Sequence, residues 1–370
     1  MKIHINLMNI VSLVMLCTAL MTACSVFDNQ ANNQEIKDVK KSPVSQAFVD
    51  YESIADKNYD KITLPKSIEA YDVKNAYVLE CNSPKNSISN DTVLEIYKEF
   101  YTDKFDKANI AYDENGGILY TAGENTSAYW GHDISLFSED YTGGETEIGK
   151  NYDAYANKDD TISLGGKDMT VKSIAEEINS GLKRILLPFY SEFEIKVETL
   201  SVIGDDIEFA CSLLYDGIPF QYAPSEYLSH DANNMVYWMF STVSGVYGSG
   251  GFKMIQAAPP MTVTDKSELN ELVSVDEAVK LLDKELAEYI DYEITDITLM
   301  YCCLTSQPTI DRTNTDNEQQ AESLTEEYNM KAKTFTPMWC FEIKTDSELI
   351  SKQYIKLNAV TGEMFMDIRI

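Results

Sequence analysis

Two stretches of this chain carry the same amphipathic face, and any fold must give each a core in which to bury it. Thr170 precedes Val171, Ile174, Ala175, Ile178 and Leu182, apolar residues at the i, i+3, i+4, i+7 spacing of one helical face. Ser274 precedes Val275, Ala278, Val279, Leu282 and Leu286, which match the first set position for position after a shift of 104 residues. Glu277 stands three residues after Ser274, the spacing of a capping box that satisfies N–H groups left open at a helix start. Gly181 interrupts the first pattern and is expected to cost its helix about 1 kcal/mol relative to Ala.

The correspondence continues past the helices. Residues 193–200 and 292–299 both read as strands and match at a shift of 99. The five-residue difference falls in the connecting loop, where length changes are cheap. A later strand follows in each copy, residues 208–214 in the first and 338–343 in the second. The chain closes on two alternating runs around Val360-Thr361-Gly362-Glu363, which predicts a β-hairpin with Gly362 at positive φ. The first copy is expected to have lost that ending.

These patterns predict an α+β protein with tandem units, each laying one helix on an antiparallel sheet. The units are expected at residues 164–264 and 265–370. Residues 62–163 form a third, less regular α+β region. It holds a strand near residues 71–79, a helix capped by Asn90-Asp91 with Val93, Tyr97 and Phe100 on one face, and short strands broken by glycine pairs. Residues 24–61 are polar and aperiodic and read as a flexible tether.

Residues 1–23 have the form of a targeting segment: Lys2, then an apolar run over residues 10–20 too short for a comfortable bilayer span. The run ends in Leu20-Met21-Thr22-Ala23-Cys24, which resembles the lipobox of bacterial lipoproteins, with Met21 where Leu is usual. The resemblance implies cleavage before Cys24, its acylation, and a lipid anchor at the outer face of the cytoplasmic membrane. Two acyl chains anchor stably where one does not.

The second copy carries Ser274-Val275-Asp276-Glu277-Ala278 at its helix start, Pro337-Met338-Trp339 opening a strand, and Asn358-Ala359-Val360-Thr361-Gly362-Glu363 near its end. Together these resemble a PepSY-type domain, with Asn358 in place of the usual Asp. The tandem arrangement also resembles the YycH/YycI class of envelope regulators and uncharacterised Gram-positive lipoproteins. The resemblance implies a non-catalytic module outside the cell that regulates or binds another envelope protein, and it carries over no catalytic residue.

Charge and composition narrow the remaining chemistry. Thirty Lys and Arg against 60 Asp and Glu give a net charge of −30, which repels nucleic-acid backbones. Cys81, Cys211, Cys302, Cys303 and Cys340 have no disulfide-framework spacing and are expected as small buried hydrophobes, with one Cys303–Cys340 bridge left open. No metal-ligand motif is present, and no cofactor is implied. The glycine-dense residues 244–251 lack the Lys-Ser/Thr of a phosphate cradle and read as a hairpin loop, and a Ser249/His230/Asp231 hydrolase is the minor reading. The aromatic segment 215–252, with Tyr222, Tyr227, Tyr237, Trp238 and Tyr247, is the candidate contact surface for a glycan, a peptide or a partner. Its competing assignment is the interface between the two units.

Overall fold

Strands dominate the chain because most of its apolar residues alternate with polar ones over short runs bounded by turns. The computed structural model describes residues 39–48, 54–55, 57, 59–69, 73–82, 89–112, 117–123, 126–130, 134–141, 148–220, 243–257, 262–286, 291–303, 333–344 and 353–367. In chain order the strands begin with β1 (Lys41–Pro43), β2 (Ile62–Thr63), β3 (Ala76–Asn82), β4 (Ile110–Tyr112), β5 (Ile118–Ala122), β6 (Thr126–Trp130) and β7 (Ile134–Phe137). Next come β8 (Ile148–Asp153), β9 (Thr161–Leu164), β10 (Lys167–Thr170), β11 (Glu194–Ile203), β12 (Asp206–Tyr215), β13 (Ile218–Pro219) and β14 (Val243–Gly248). The last are β15 (Gly251–Ala257), β16 (Thr262–Leu269), β17 (Glu271–Val273), β18 (Tyr292–Cys303), β19 (Lys333–Ile343), β20 (Gln353–Asn358) and β21 (Met364–Asp367).

The helices are α1 (Asn90–Tyr101), α2 (Val171–Leu186) and α3 (Val275–Glu285). The predicted faces are the buried ones: Val171, Ile174, Ala175, Ile178 and Leu182 in α2, and Val275, Ala278, Val279 and Leu282 in α3. Thr170 Oγ1 accepts from Ser173 N at 3.2 Å, and Ser274 Oγ accepts from Glu277 N at 3.4 Å. The Glu277 carboxylate faces Lys280 at 3.7 Å. The cap of α1 is Ser89, whose hydroxyl accepts from Thr92 N at 3.2 Å; Asn90 and Asp91, expected as the cap, are already helical.

The fold is α+β, with two main sheets. The first has ten strands in the order β4-β5-β6-β7-β15-β14-β12-β11-β8, with β13 beside the end of β12. The second has seven, β16-β3-β19-β18-β2, with β20 beside β19 and β21 beside β20. After α2, leaving aside the two-residue β13, the chain forms the meander β11-β12-β14-β15, and after α3 it runs β18-β19-β20-β21, each strand antiparallel to the next. A hairpin therefore closes the strand run after α2, where its loss was expected: β14 and β15 turn through Ser249-Gly250, and the glycine-dense stretch is that hairpin.

Two expected boundaries shift. Residues 62–163 do not stand alone but supply edges to both sheets. β3 lies between β16 and β19, β4 to β7 extend the first sheet from β15, and β8 closes its far edge on β11. An edge strand exposes unpaired N–H and C=O groups, so neighbouring strands are recruited to cover them. Nor is the expected tether flexible over its second half. β1 pairs with β17, Val44 and Ala47 are buried, and Phe48 meets Trp339 edge-on at 5.0 Å. Further on, Lys61 N donates to Asp283 at 2.9 Å and β2 pairs in parallel with β18.

An aromatic seam joins the two sheets. Phe220 forms a bridge with Tyr301 and their rings meet tilted at 5.2 Å, Phe335 meets Phe220 edge-on at 5.2 Å, and Phe193 packs edge-on against both Tyr215 and Phe220. Tyr77 packs on Tyr215 at 6.0 Å, and its backbone N–H donates to Tyr301 Oη at 3.2 Å. One hydrophobic core runs through both halves, and residues 39–370 form one compact unit. Among the described residues no helix is long and apolar enough to cross a membrane.

Candidate functional site

Both α1 and α2 pack on the same face of the ten-stranded sheet. Tyr97 Oη donates to Ile118 O at 2.8 Å and Tyr101 Oη to Ser127 O at 2.5 Å, while Asn179 Oδ1 of α2 accepts from Val197 N at 2.9 Å. Arg184 and Glu99 tie the two helices to each other. The fully buried Ile118, Tyr120, Ala128, Leu136, Ile255, Phe209 and Leu200 point to this side. Their alternating neighbours must then point the other way.

Register defines that outer face. One cross-strand row runs Ala111, Leu119, Tyr129, Ser135, Gln256, Ser244, Ala210, Thr199, Asp153, from one edge of the sheet to the other. The adjacent row is Thr121, Ser127, Phe137, Met254, Val246, Glu208, Ser201, Asn151. Of these seventeen positions only Asp153 and Glu208 are charged, in a chain where 24% of residues are. Every member of the first row is exposed or half-buried; Leu119 is 42% and Tyr129 41% exposed, side by side across β5 and β6. Strand spacing makes the strip about 40 Å long and about 14 Å wide.

Toward the β13 end of β12 the face becomes polar. Glu69 pairs with Lys196, Lys196 Nζ lies 3.4 Å from Glu198, and the Ser212 hydroxyl donates to Glu198. Burial pushes the Glu198 carboxyl above its ordinary range, against the pull of Lys196 and Ser212. At the other margin Lys253 pairs with Asp206 at 2.7 Å beside Gly248, and Val246 between them and the first row is buried, so the face is poor in charge along the two rows and polar on both sides of them.

Of the aromatic residues proposed from sequence, Tyr222, Tyr227, Tyr237 and Trp238 lie outside the described residues, as do Cys24, His230 and Asp231. Tyr247 is on β14 but on the helix side. Its hydroxyl donates to the Glu177 carboxylate at 3.2 Å and its ring meets Phe252 at 5.1 Å. Burial raises its phenol, and the Glu177 charge adds to the effect. Among the described residues the seam is built from Tyr77, Phe193, Tyr215, Phe220, Tyr301 and Phe335.

Other chemistry is sparse. A recess of about 220 Å³ lies where α2 meets β11, lined by Lys183, Leu187, Tyr190, Phe193 and Ile195 among others. That is smaller than the ~300 Å³ at which small-molecule pockets begin. Among the described residues no disulfide joins the cysteines. Cys302 and Cys340 approach to 3.7 Å, whereas Cys303 points to the opposite face of β18, so the Cys303–Cys340 bridge left open above does not form. Burial pushes the Cys81 thiol up to about 12, which makes it inert at neutral pH. Among the described residues no group of His, Cys, Asp and Glu could hold a metal ion.

No protein-family model matches the chain, and no curated protein matches it. Among solved structures it is similar to an uncharacterised protein from Eubacterium rectale, at 15% identity and a TM-score of 0.50 over 84% of this chain and 91% of that one. The likeness concerns the fold alone.

The outer face was missed from sequence because alternation marks that two faces exist without marking which is covered. Tyr129 sits between Ala128 and Trp130, and all three are apolar-leaning. Only the position of α1 decides that Tyr129 is the one left outside.

Proposed function

We propose that this chain is a non-catalytic protein-interaction module of the cell envelope, with a regulatory role. In this reading two PepSY-like units, each a helix followed by an antiparallel meander, are held at the outer face of the cytoplasmic membrane by acylated Cys24. The observation that carries it is the charge-poor outer face of the ten-stranded sheet, with Leu119 and Tyr129 exposed on it. Low charge with an exposed aromatic side chain is the composition found at the centre of protein interfaces, which is what supports the reading. The competing reading, a lipoprotein that binds glycan or peptide through residues 215–252, rests within the described residues on Tyr247, whose hydroxyl is already engaged by Glu177.

The test is a photo-crosslinking residue at position 119 of the full chain in its own cells. An adduct with an envelope protein is the expected result. Absence of any protein adduct, together with a rise in thermal midpoint on adding a wall glycan or peptide fragment, overturns the reading in favour of the competitor. Cys24→Ala is expected to release the protein from membranes, and retention after signal cleavage would defeat the anchor assignment.

A further inference from the structure

We propose that Cys302, Cys340 and Met338 form a binding site for one monovalent copper ion on the second sheet. The site stands apart from the interaction-module reading and does not depend on it. Leu299, Tyr301, Trp339 and Phe341 of β18 and β19 belong to the main core, so their alternating neighbours Met300, Cys302, Met338 and Cys340 share the opposite face. There Cys302, Met338 and Cys340 make a separate cluster, each 1% exposed, with Met300, Tyr354 and Phe365 packed against it. Four of these six residues carry sulfur, in a chain where Cys and Met number 7 and 14 of 370. A patch built only to bury apolar area is expected to draw on Leu, Ile and Val, whose rotamers are better defined.

The donors suit the ion. The Cys302 and Cys340 Sγ atoms lie 3.7 Å apart, and two sulfurs each about 2.3 Å from one tetrahedral ion stand about 3.8 Å apart. Met338, buried in the same cluster, supplies a thioether, and Met300 faces it directly across the two strands. Thiolate and thioether ligands are soft and select Cu(I). A structural zinc site takes four Cys or His ligands, and among the described residues no His, Asp or Glu completes a three-ligand group with these thiols. Binding releases one proton from each thiol as two Cu–S bonds form, which leaves the site one net negative charge. Lys356 on β20 stands directly across from Cys340, and its positive charge acts on both thiols. The packing of Tyr354 and Phe365 keeps solvent from the bound ion.

Anaerobic titration of the reduced full chain with Cu(I), in competition with the chelator bicinchoninate, tests this. The expected result is uptake of one Cu(I) per chain, with an ultraviolet thiolate-to-copper charge-transfer band and a rise in thermal midpoint. Cys302→Ser or Cys340→Ser abolishes that uptake, and Met338→Leu, close in volume, weakens it about tenfold. Cys303→Ser, next along β18 but on its other face, leaves uptake unchanged, which separates the site from binding by any thiol. Because a buried hydroxyl threatens the fold, the double variant Cys302→Ala, Cys340→Ala is measured beside the single ones. It is expected to fold without copper and to show neither the band nor the rise in midpoint. Absence of uptake, uptake indifferent to the double variant, tighter binding of Zn(II) than of Cu(I), or a Cys302–Cys340 disulfide in the protein as isolated from its cells overturns the proposal. None of these outcomes bears on the crosslink at position 119, so the two readings fail separately.

Discussion

At Gly181 a Cβ would stand 2.4 Å from Cε2 of Phe252, so the glycine is where a ring from β15 enters the face of α2. Helix propensity alone predicts that Gly181→Ala stabilises by about 1 kcal/mol. The packing predicts the reverse, a loss of about 1–3 kcal/mol in urea unfolding, relieved when Phe252→Leu is added. Gly245 is stricter still, since its Cβ would lie 2.1 Å from the Met254 carbonyl oxygen. Asn358, where the resembling family has Asp, accepts from Val360 N at 2.8 Å and Thr361 N at 3.2 Å through Oδ1. It does so while almost fully buried, where an amide avoids the cost of a buried charge. Asp276 gives a pH prediction. Burial would raise its carboxyl, but hydrogen bonding and charge from Lys280, with Lys57, outweigh that and hold it below its ordinary value. A depressed carboxylate stabilises the fold above its unfolded-state value and loses that contribution as pH falls through the lower folded value. Asp276→Asn is therefore expected to lower the thermal midpoint at pH ~7, and the difference from the native protein should close by pH ~2–3.

Among the elements, the arm over residues 39–48 is the one whose role changed most. It pairs with β17, Val39 lies against the Gly362 turn, and Val275 N donates to Ala47 O at 2.9 Å. Trp339, fully buried, meets Phe48 and donates through Nε1 to Val273 O at 2.7 Å, so the arm, the α3 start and the closing hairpin meet at one point. Val44→Asp puts an unpaired charge into that contact. It is expected to cost about 3 kcal/mol and to shift tryptophan emission to the red as the arm lifts, measured by fluorescence-detected unfolding. An unshifted emission with full stability would show that the arm is dispensable.

For the whole molecule the aromatic seam decides cooperativity. Because Phe220, Tyr301 and Phe335 belong to one core with both sheets, residues 39–370 are expected to unfold in a single calorimetric transition. Tyr301→Phe leaves the Tyr77 N–H buried without its acceptor and should cost about 1–3 kcal/mol while keeping one transition. Tyr301→Ala, which also removes the ring between the sheets, should broaden or split it. A wild-type protein with two separate transitions would mean that the halves are energetically independent.

The two helices, their caps and the strands after them were legible because their signals are local: apolar spacing, a hydroxyl before the first turn, a glycine that can take positive φ. Gly362 does so at φ 80°, and the buried faces of α2 and α3 are those read from spacing. What no local pattern encodes is which strand lies beside which. Hence the sharing of residues 62–163 between two sheets, the docking of the arm on β17, and the hairpin closing the strand run after α2 all came from the tertiary structure. The same holds for the candidate site. The sequence determined that β5 and β6 alternate, but only the packing of α1 and α2 on one side of the sheet decided that Leu119 and Tyr129 face outward.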